Sequence, residues 1–524
     1  MTNRLRVLGF GAAVLLLGSA ACNNDKLTSL NVNPNSPEAV PPTTLFTSAA
    51  RNSVARWVGG GYDLRGTEWL VQHLAEVQYP DEDTYKRLQA SSTSGYFDGP
   101  YQGELEDLQK VIQAGVKANQ AGTWAPAQIL RTWGFSYITD TFGDIPYSQA
   151  LNGDSLGSTL NPKYDLQKDI YTDLFAKLAA ASTALTSATN TLGAADPIYG
   201  GDPKGWQKFA NSLRARLALR LINADPATAA TQLAAAFAAP GGVFASNADH
   251  AVFQWPGDGI YNNPWSDNFS GRDDHRMSQT LMNIMLASND PRVPIYAQPT
   301  EDWTGGKAGA VQYAGMPNGL TQDSAQVYFN STSRPGAIFY PGQTIYGFFG
   351  GNGKAQPSYI MTYAEVAFIR AEAAERGIAG LNAAQAPGLY TAAITASLRQ
   401  WGITSAADSV AFLANSNIAY RGGTPGLIQI AIQKWVALYT DGGTAWSEWR
   451  RTCQPATLVP GLYAIINTVP RRFEYSTTEV SVNAAQLDAA IARQGSDIFQ
   501  TRMYWDKNPG AAPTYPGASC GTRP

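Results

Sequence analysis

Residues 203–223 read PKGWQKFANSLRARLALRLIN, and this stretch decides the fold class. Trp206, Phe209, Leu213, Leu217 and Leu221 recur at spacings of three and four, so they share one face of a helix, with Arg214 off that stripe. The same period runs through Ala125 to Tyr137, Lys163 to Ser187 and Pro226 to Ala238, and helical pattern begins at Leu45. Asp225 is placed to cap the last of these, with Pro226 at its first position. Helical pattern returns at Tyr359 to Gly377, Pro387 to Gln400 and Thr424 to Tyr439. In the last, Thr424 is the expected cap, Pro425 follows it, and Ile428, Ile432, Trp435 and Tyr439 form the apolar face. Helices of this length joined by short loops suggest stacked helical hairpins.

Residues 240–357 differ. Gly, Pro, Asn and Asp are frequent there, with aromatics scattered singly, so a long loop-rich insertion docked on the helical body is expected. The tail from Thr452 also reads as loop. One domain over residues 45–524 follows from this pattern.

The other end fixes an address. Residues 1–21 carry Arg4 and Arg6, about a dozen apolar residues and a small-residue box, Ser19-Ala20-Ala21. The apolar run is shorter than the ~20 residues of a membrane span, so it reads as an export signal. Cys22 directly after the box is the expected lipidation site, although Ser19 stands where such boxes usually carry Leu. The other reading is plain cleavage after Ala21 with a free thiol. Residues 22–44, with Pro34, Pro37, Pro41 and Pro42, form an extended tether. With Cys22 acylated, Cys453 and Cys520 remain; in an oxidising compartment they can close a loop of about 70 residues worth ~4 kcal/mol. Two unpaired thiols are the alternative. Net charge is −3 and no basic cluster is present, which argues against nucleic acid or an anionic membrane surface as partner.

Catalytic signatures are weak. The three histidines, His73, His250 and His275, have no paired spacing, so no metal or triad site is expected. Gly517 to Gly521 matches GxSxG without a following helix, and Gly350 to Lys354 fails the phosphate-loop register. Asp81-Glu82-Asp83 and Asp273-Asp274 are the carboxylates a glycoside hydrolase could use, if two of them face each other ~5 to 10 Å apart. A calcium loop is conceivable at either run, but EF-hand spacing is missing. Aromatic loop residues carry more. Flat rings stack on sugars while polar neighbours take the hydroxyls. The candidate ligand-binding residues are Tyr79, Tyr85, Tyr96, Trp255, Trp265, Trp303 and Tyr346, with core packing as the competing reading for each.

Several blocks resemble one family. Trp133 to Ala150, WGFSYITDTFGDIPYSQA, is followed in order by Tyr164-Asp165 with Ile170-Tyr171, Ile198 to Asp202, and Trp206 to Leu213. Ser288 to Arg292, Tyr363 to Val366 with Ala371 to Ala373, Gln433 to Trp435, and Trp446 to Arg451 complete the series. Together they resemble SusD/RagB-type outer-membrane lipoproteins over most of the mature chain. The resemblance implies a mostly α fold, a tetratricopeptide-like helical-hairpin scaffold with large loop insertions. It implies a cell-surface lipoprotein, palmitoylated at Cys22, that captures a glycan or peptide. Delivery to a SusC-like TonB-dependent transporter as partner follows, with no cofactor and no chemical step. An exported glycoside hydrolase is the runner-up, and a purely adhesive surface protein the third reading.

Overall fold

The computed structural model describes residues 40–153, 159–343, 349–506 and 520–523. The expected signal, Cys22, most of the tether and Tyr346 lie outside the described residues. The first helix among the described residues, α1 (Pro42–Trp57), starts on Pro42, whose fixed φ suits the first helical position. It is followed by α2 (Glu104–Lys117), α3 (Ala121–Phe142), α4 (Gln167–Leu185), α5 (Pro203–Arg220) and α6 (Pro226–Ala238). Each of these six packs on the next along the chain, giving a tetratricopeptide-like stack of helical hairpins. The second half adds α7 (Tyr363–Glu375), α8 (Ala386–Gln400), α9 (Gly423–Ala437), α10 (Gly442–Thr452) and α11 (Ala484–Gln494).

Helix α5 holds the centre. Asp202 caps it by accepting from Lys204 N at 3.1 Å and Gly205 N at 3.2 Å. Its predicted stripe is buried throughout, but Asn211, Ser212, Arg216 and Arg220 are buried too. The reason is position: α5 touches α3, α4, α6, α7 and α10, so it has little solvent face. Its buried charges are paired across helices, Arg216 Nε donating to Glu365 Oε1 at 2.7 Å and Arg220 bonding Asp140. Asp225 caps α6 as the sequence indicates, accepting from Thr228 N at 3.1 Å.

The start of α9 differs from expectation. Gly422 and Gly423 both take positive φ, the helix begins at Gly423, and Thr424 does not cap. The carboxylate of Glu375, at the end of α7, accepts from Gly423 N at 2.5 Å instead. The buried face is correspondingly rotated: Leu427, Ile430 and Ala431 are buried with Trp435, while Ile428 and Ile432 are half-buried.

The insertion is more regular than its composition suggests, holding five helices of four to nine residues. Two short ladders tie it to the scaffold side. β1 (Leu74–Glu76) pairs antiparallel with β3 (His275–Met277), and β2 (Ala251–Phe253) with β4 (Ser358–Met361). One large apolar cluster runs through scaffold and insertion alike. The tail also departs from a loop, since it contains α11 and a short helix, Thr477–Val482. Cys453 and Cys520 are joined by a disulfide.

The block at the end of α3 shapes this frame. Gly143 takes φ +93°, which reverses the chain. Asp144 Oδ1 then accepts from Gln167 N at 2.9 Å, satisfying a free amide at the start of α4.

Candidate ligand-binding face

The six sequence-predicted aromatics that lie among the described residues divide by burial. Tyr85, Trp255 and Trp265 are buried and offer no face to a ligand. The indole N–H of Trp255 donates to Ser358 Oγ at 2.9 Å, and that of Trp265 to Asp63 Oδ2 at 3.1 Å. Both rings anchor the insertion, Trp255 on Phe253 and Trp265 on Phe339 and Tyr439. Tyr96 is half-buried, set edge-on against Tyr62, with its hydroxyl donating to Gly61 O at 3.2 Å. Of these six, Tyr79, 52% exposed, and Trp303, 44% exposed, present open ring surface.

Tyr79 is held rigidly from behind. Glu76 Oε1 accepts from Gln78 N at 2.9 Å and Tyr79 N at 3.1 Å, which pins the backbone. The Arg272 guanidinium lies 4.5 Å from the ring centroid, covering one face. Arg272 is itself fixed by Asp274, with Nε at 3.0 and 2.9 Å from the two carboxylate oxygens. Glu82 gathers Arg65, Arg87 and Arg272. Burial, then the neighbouring Asp274 and Glu82 charges, pushes the Glu76 carboxyl well above the usual range. Burial likewise pushes Asp83 up to about 7. Burial alone would raise Asp274 as well, but His275 and Arg272 outweigh it and hold that carboxyl far below its ordinary value.

Neighbouring loops extend this face. Tyr463 N donates to Gly319 O at 2.9 Å and Ile465 N to Thr84 O at 3.1 Å, which sets exposed Leu462 and Tyr463 beside the 79–88 segment. Trp303 follows Glu301, whose carboxylate is 3.2 Å from Arg334; Arg334 also pairs with Asp273, next to Asp274. Arg272 thus backs the Tyr79 ring directly, while Arg334 ties the short helix that carries Trp303 to Asp273.

Sequence reading missed Tyr261 as a ligand candidate. It repeats the construction of Tyr79: Asp258 Oδ1 accepts from Ile260 N and Tyr261 N, each at 2.8 Å, and Arg51 lies 4.7 Å over the ring. A cavity of about 500 Å³ opens beside it, lined by Thr43, Thr47, Ser48, Arg51, Phe253 and Tyr261. The legible signal is a carboxylate three residues before a tyrosine, EVQY at Glu76 and DGIY at Asp258, a spacing suited to capture of two successive amides. The arginines come from elsewhere in the chain.

This geometry accords with the comparisons. The chain belongs to the SusD-like family described as "Starch-binding associating with outer membrane", which matches residues 34–476. A solved chitin-binding protein superposes with a TM-score of 0.73 at 25% identity, over 89% of this chain and 100% of that one. A chitin-binding SusD homolog from Flavobacterium johnsoniae gives 0.71 at 25% identity, over 89% and 98%. A SusD homolog from Bacteroides fragilis shares the fold with a TM-score of 0.75 at 22% identity, over 90% and 100%. No curated protein sequence matches this chain significantly. No helix among the described residues is long and apolar enough to cross a membrane.

Proposed function

We propose that this protein is a lipid-anchored cell-surface receptor that captures an oligosaccharide on arginine-backed tyrosines and hands it to a SusC-like TonB-dependent transporter. The observation that carries the reading is the repeated platform, Tyr79 over Arg272 and Tyr261 over Arg51, each pinned by a carboxylate. A ring fixed in place loses little entropy when a sugar stacks on it. Chitin- and starch-type oligosaccharides are the first ligands to try, because relatives carry those descriptions. Cys22 is the anchor in this reading, with the outer membrane as its address.

The carboxylates support a binder over a hydrolase. Glu82, Asp83, Asp273 and Asp274 are buried, and Glu82, Asp273 and Asp274 are held in arginine contacts, so they do not face one another across an open groove. Asp81 is exposed and paired with Lys86 at 2.8 Å. Calorimetric titration with chito- and malto-oligosaccharides tests the capture step. Binding without release of shorter sugars is expected, and measurable turnover would return the hydrolase reading. Recovery of a barrel-sized partner with acylated Cys22 from detergent-solubilised envelopes tests the delivery step.

A further inference from the structure

The β1–β3 ladder sets Glu76 directly opposite His275, with Asp274 as the next residue. One donor atom from each of Glu76, Asp274 and His275 lies within 4.8 Å of the other two, and all three side chains are buried. Glu76 Oε1 is committed to the amides of Gln78 and Tyr79, whereas Oε2 makes no hydrogen bond. The cation facing Oε2 is Arg272, whose Nη2 stands 3.5 Å away. Arg272 is engaged far more closely with Asp274, and Glu82 has Arg65 and Arg87 of its own. Glu76 and Asp274 therefore meet at one guanidinium that is committed to Asp274, and the buried Oε2 of Glu76 is left facing the site without a hydrogen bond.

The histidine is oriented toward the same point. His275 Nδ1 stands 3.0 Å from Asp274 Oδ1, and its Nε2 is 3.3 Å from the Asn268 carboxamide nitrogen. In the ion-free protein Nδ1–H donates to Asp274 Oδ1; a cation at this point would displace that proton, and with the Asn268 carboxamide turned so that its oxygen accepts from Nε2–H, the Nδ1 lone pair would face the ion. The ring is clamped between Trp69 and Phe269, each with its centroid 5.1 Å away.

We infer that Glu76, Asp274 and His275 bind one divalent first-row cation, Zn²⁺ or Mn²⁺. An imidazole nitrogen with two carboxylates suits these ions better than Ca²⁺, which favours six to eight oxygen ligands. Glu76 also pins the Tyr79 backbone and Asp274 holds the arginine over its ring, so the ion would stiffen that platform. This last consequence alone rests on the glycan-binding reading.

The test is a titration of the tag-free, chelator-treated full chain with Zn²⁺, Mn²⁺ and Ca²⁺ separately, followed by anomalous diffraction at the metal edge. One equivalent of Zn²⁺ or Mn²⁺ is expected, with density between Glu76 and His275. Glu76→Gln, which keeps the shape, is expected to weaken uptake at least tenfold. Replacing His275 removes a ring from the aromatic core, so Glu76→Gln is the primary variant and circular dichroism confirms that it is folded. No stoichiometric uptake by the wild type overturns the inference, with a proton then joining the two carboxylates. Density elsewhere, preference for Ca²⁺, or uptake unchanged in Glu76→Gln overturns it equally. No glycan enters the titration, so a protein that fails to bind oligosaccharide can still be shown to take up the metal, and the reverse.

Discussion

The helical scaffold and the ligand face both rely on arginines, with opposite consequences. In the scaffold both partners are buried and pairs cross between helices: Arg216 to Glu365, Arg220 to Asp140 and Arg451 to Glu372, with Glu448 joining Arg451 from within α10. On the loop face the arginines are partly exposed, and what they support is a ring. Arg272 lies over Tyr79 and Arg51 over Tyr261. Burial decides the difference. A desolvated pair clamps the elements it joins, because separating it strands a charge, whereas a partly exposed guanidinium keeps a face free to back an aromatic.

The largest expected effect tests the clamp. Arg451 Nη1 and Nη2 reach Glu372 at 2.6 and 2.7 Å, and Nη2 reaches Glu448 at 2.6 Å. Arg451→Ala leaves two buried carboxylates short of a partner and is expected to cost about 3–5 kcal/mol in denaturant unfolding. Arg51→Ala, on α1 behind Tyr261, is expected to cost less than about 1 kcal/mol, because its guanidinium is partly exposed and pairs with no buried carboxylate among the described residues. Equal losses would erase the distinction between the two regions.

Acid separates them next. Burial alone would raise the Glu372 carboxyl, but Arg451 and Arg376 dominate and bring it down to about 2. Its unfolded form binds protons first, so this part of the stability is complete above about pH 4.5 and is lost as pH falls toward 2, on the order of 3 kcal/mol. Asp83 behaves in the opposite sense. Raised to about 7 by burial, it is protonated sooner in the folded protein, so its contribution favours folding at low pH and is lost as pH rises through 7. Hydrogen exchange at pH 7, 5 and 3 is expected to show weakening protection in α7 and α10. Residues 76–84 should lose less over the same range. Uniform loss across both regions would contradict this assignment of signs.

How much of this was legible in sequence follows the range of the interactions involved. The hairpin scaffold was readable because helical period, Asp–Pro starts and Gly turns are local: Asp202-Pro203 and Asp225-Pro226 mark the starts of α5 and α6. The start of α9 was misread because its cap, Glu375, comes from a neighbouring helix. Helix α11 was missed among the turn residues of the tail. At the loop face, composition identified Tyr79 and Trp303 but could not separate them from Trp255 and Trp265, whose indole N–H groups find partners far along the chain. Tyr261 was passed over because its backing arginine, Arg51, belongs to α1. Contacts set by tertiary neighbours leave no local period to read.

The smallest effects bear most directly on function. Tyr79→Ala and Tyr261→Ala each remove a half-exposed ring whose burial in the free protein is limited, so each is expected to change folding stability by no more than about 0.5 kcal/mol. Each stacked sugar face contributes on the order of 1–2 kcal/mol, so oligosaccharide affinity should fall several-fold or more for a platform in use. Paired titrations of the two variants then say how the face works. Losses in both mean that one ligand engages both rings, or that two ligands bind, and stoichiometry distinguishes these. A loss at Tyr79 alone places capture beside the 461–465 loop. A loss at Tyr261 alone moves it to the cavity against α1 and makes the Tyr79 construction structural. Unchanged affinity in both variants would sink the platform argument, and the two arginine-backed rings would then serve the fold alone, like the buried Arg450–Trp446 stack.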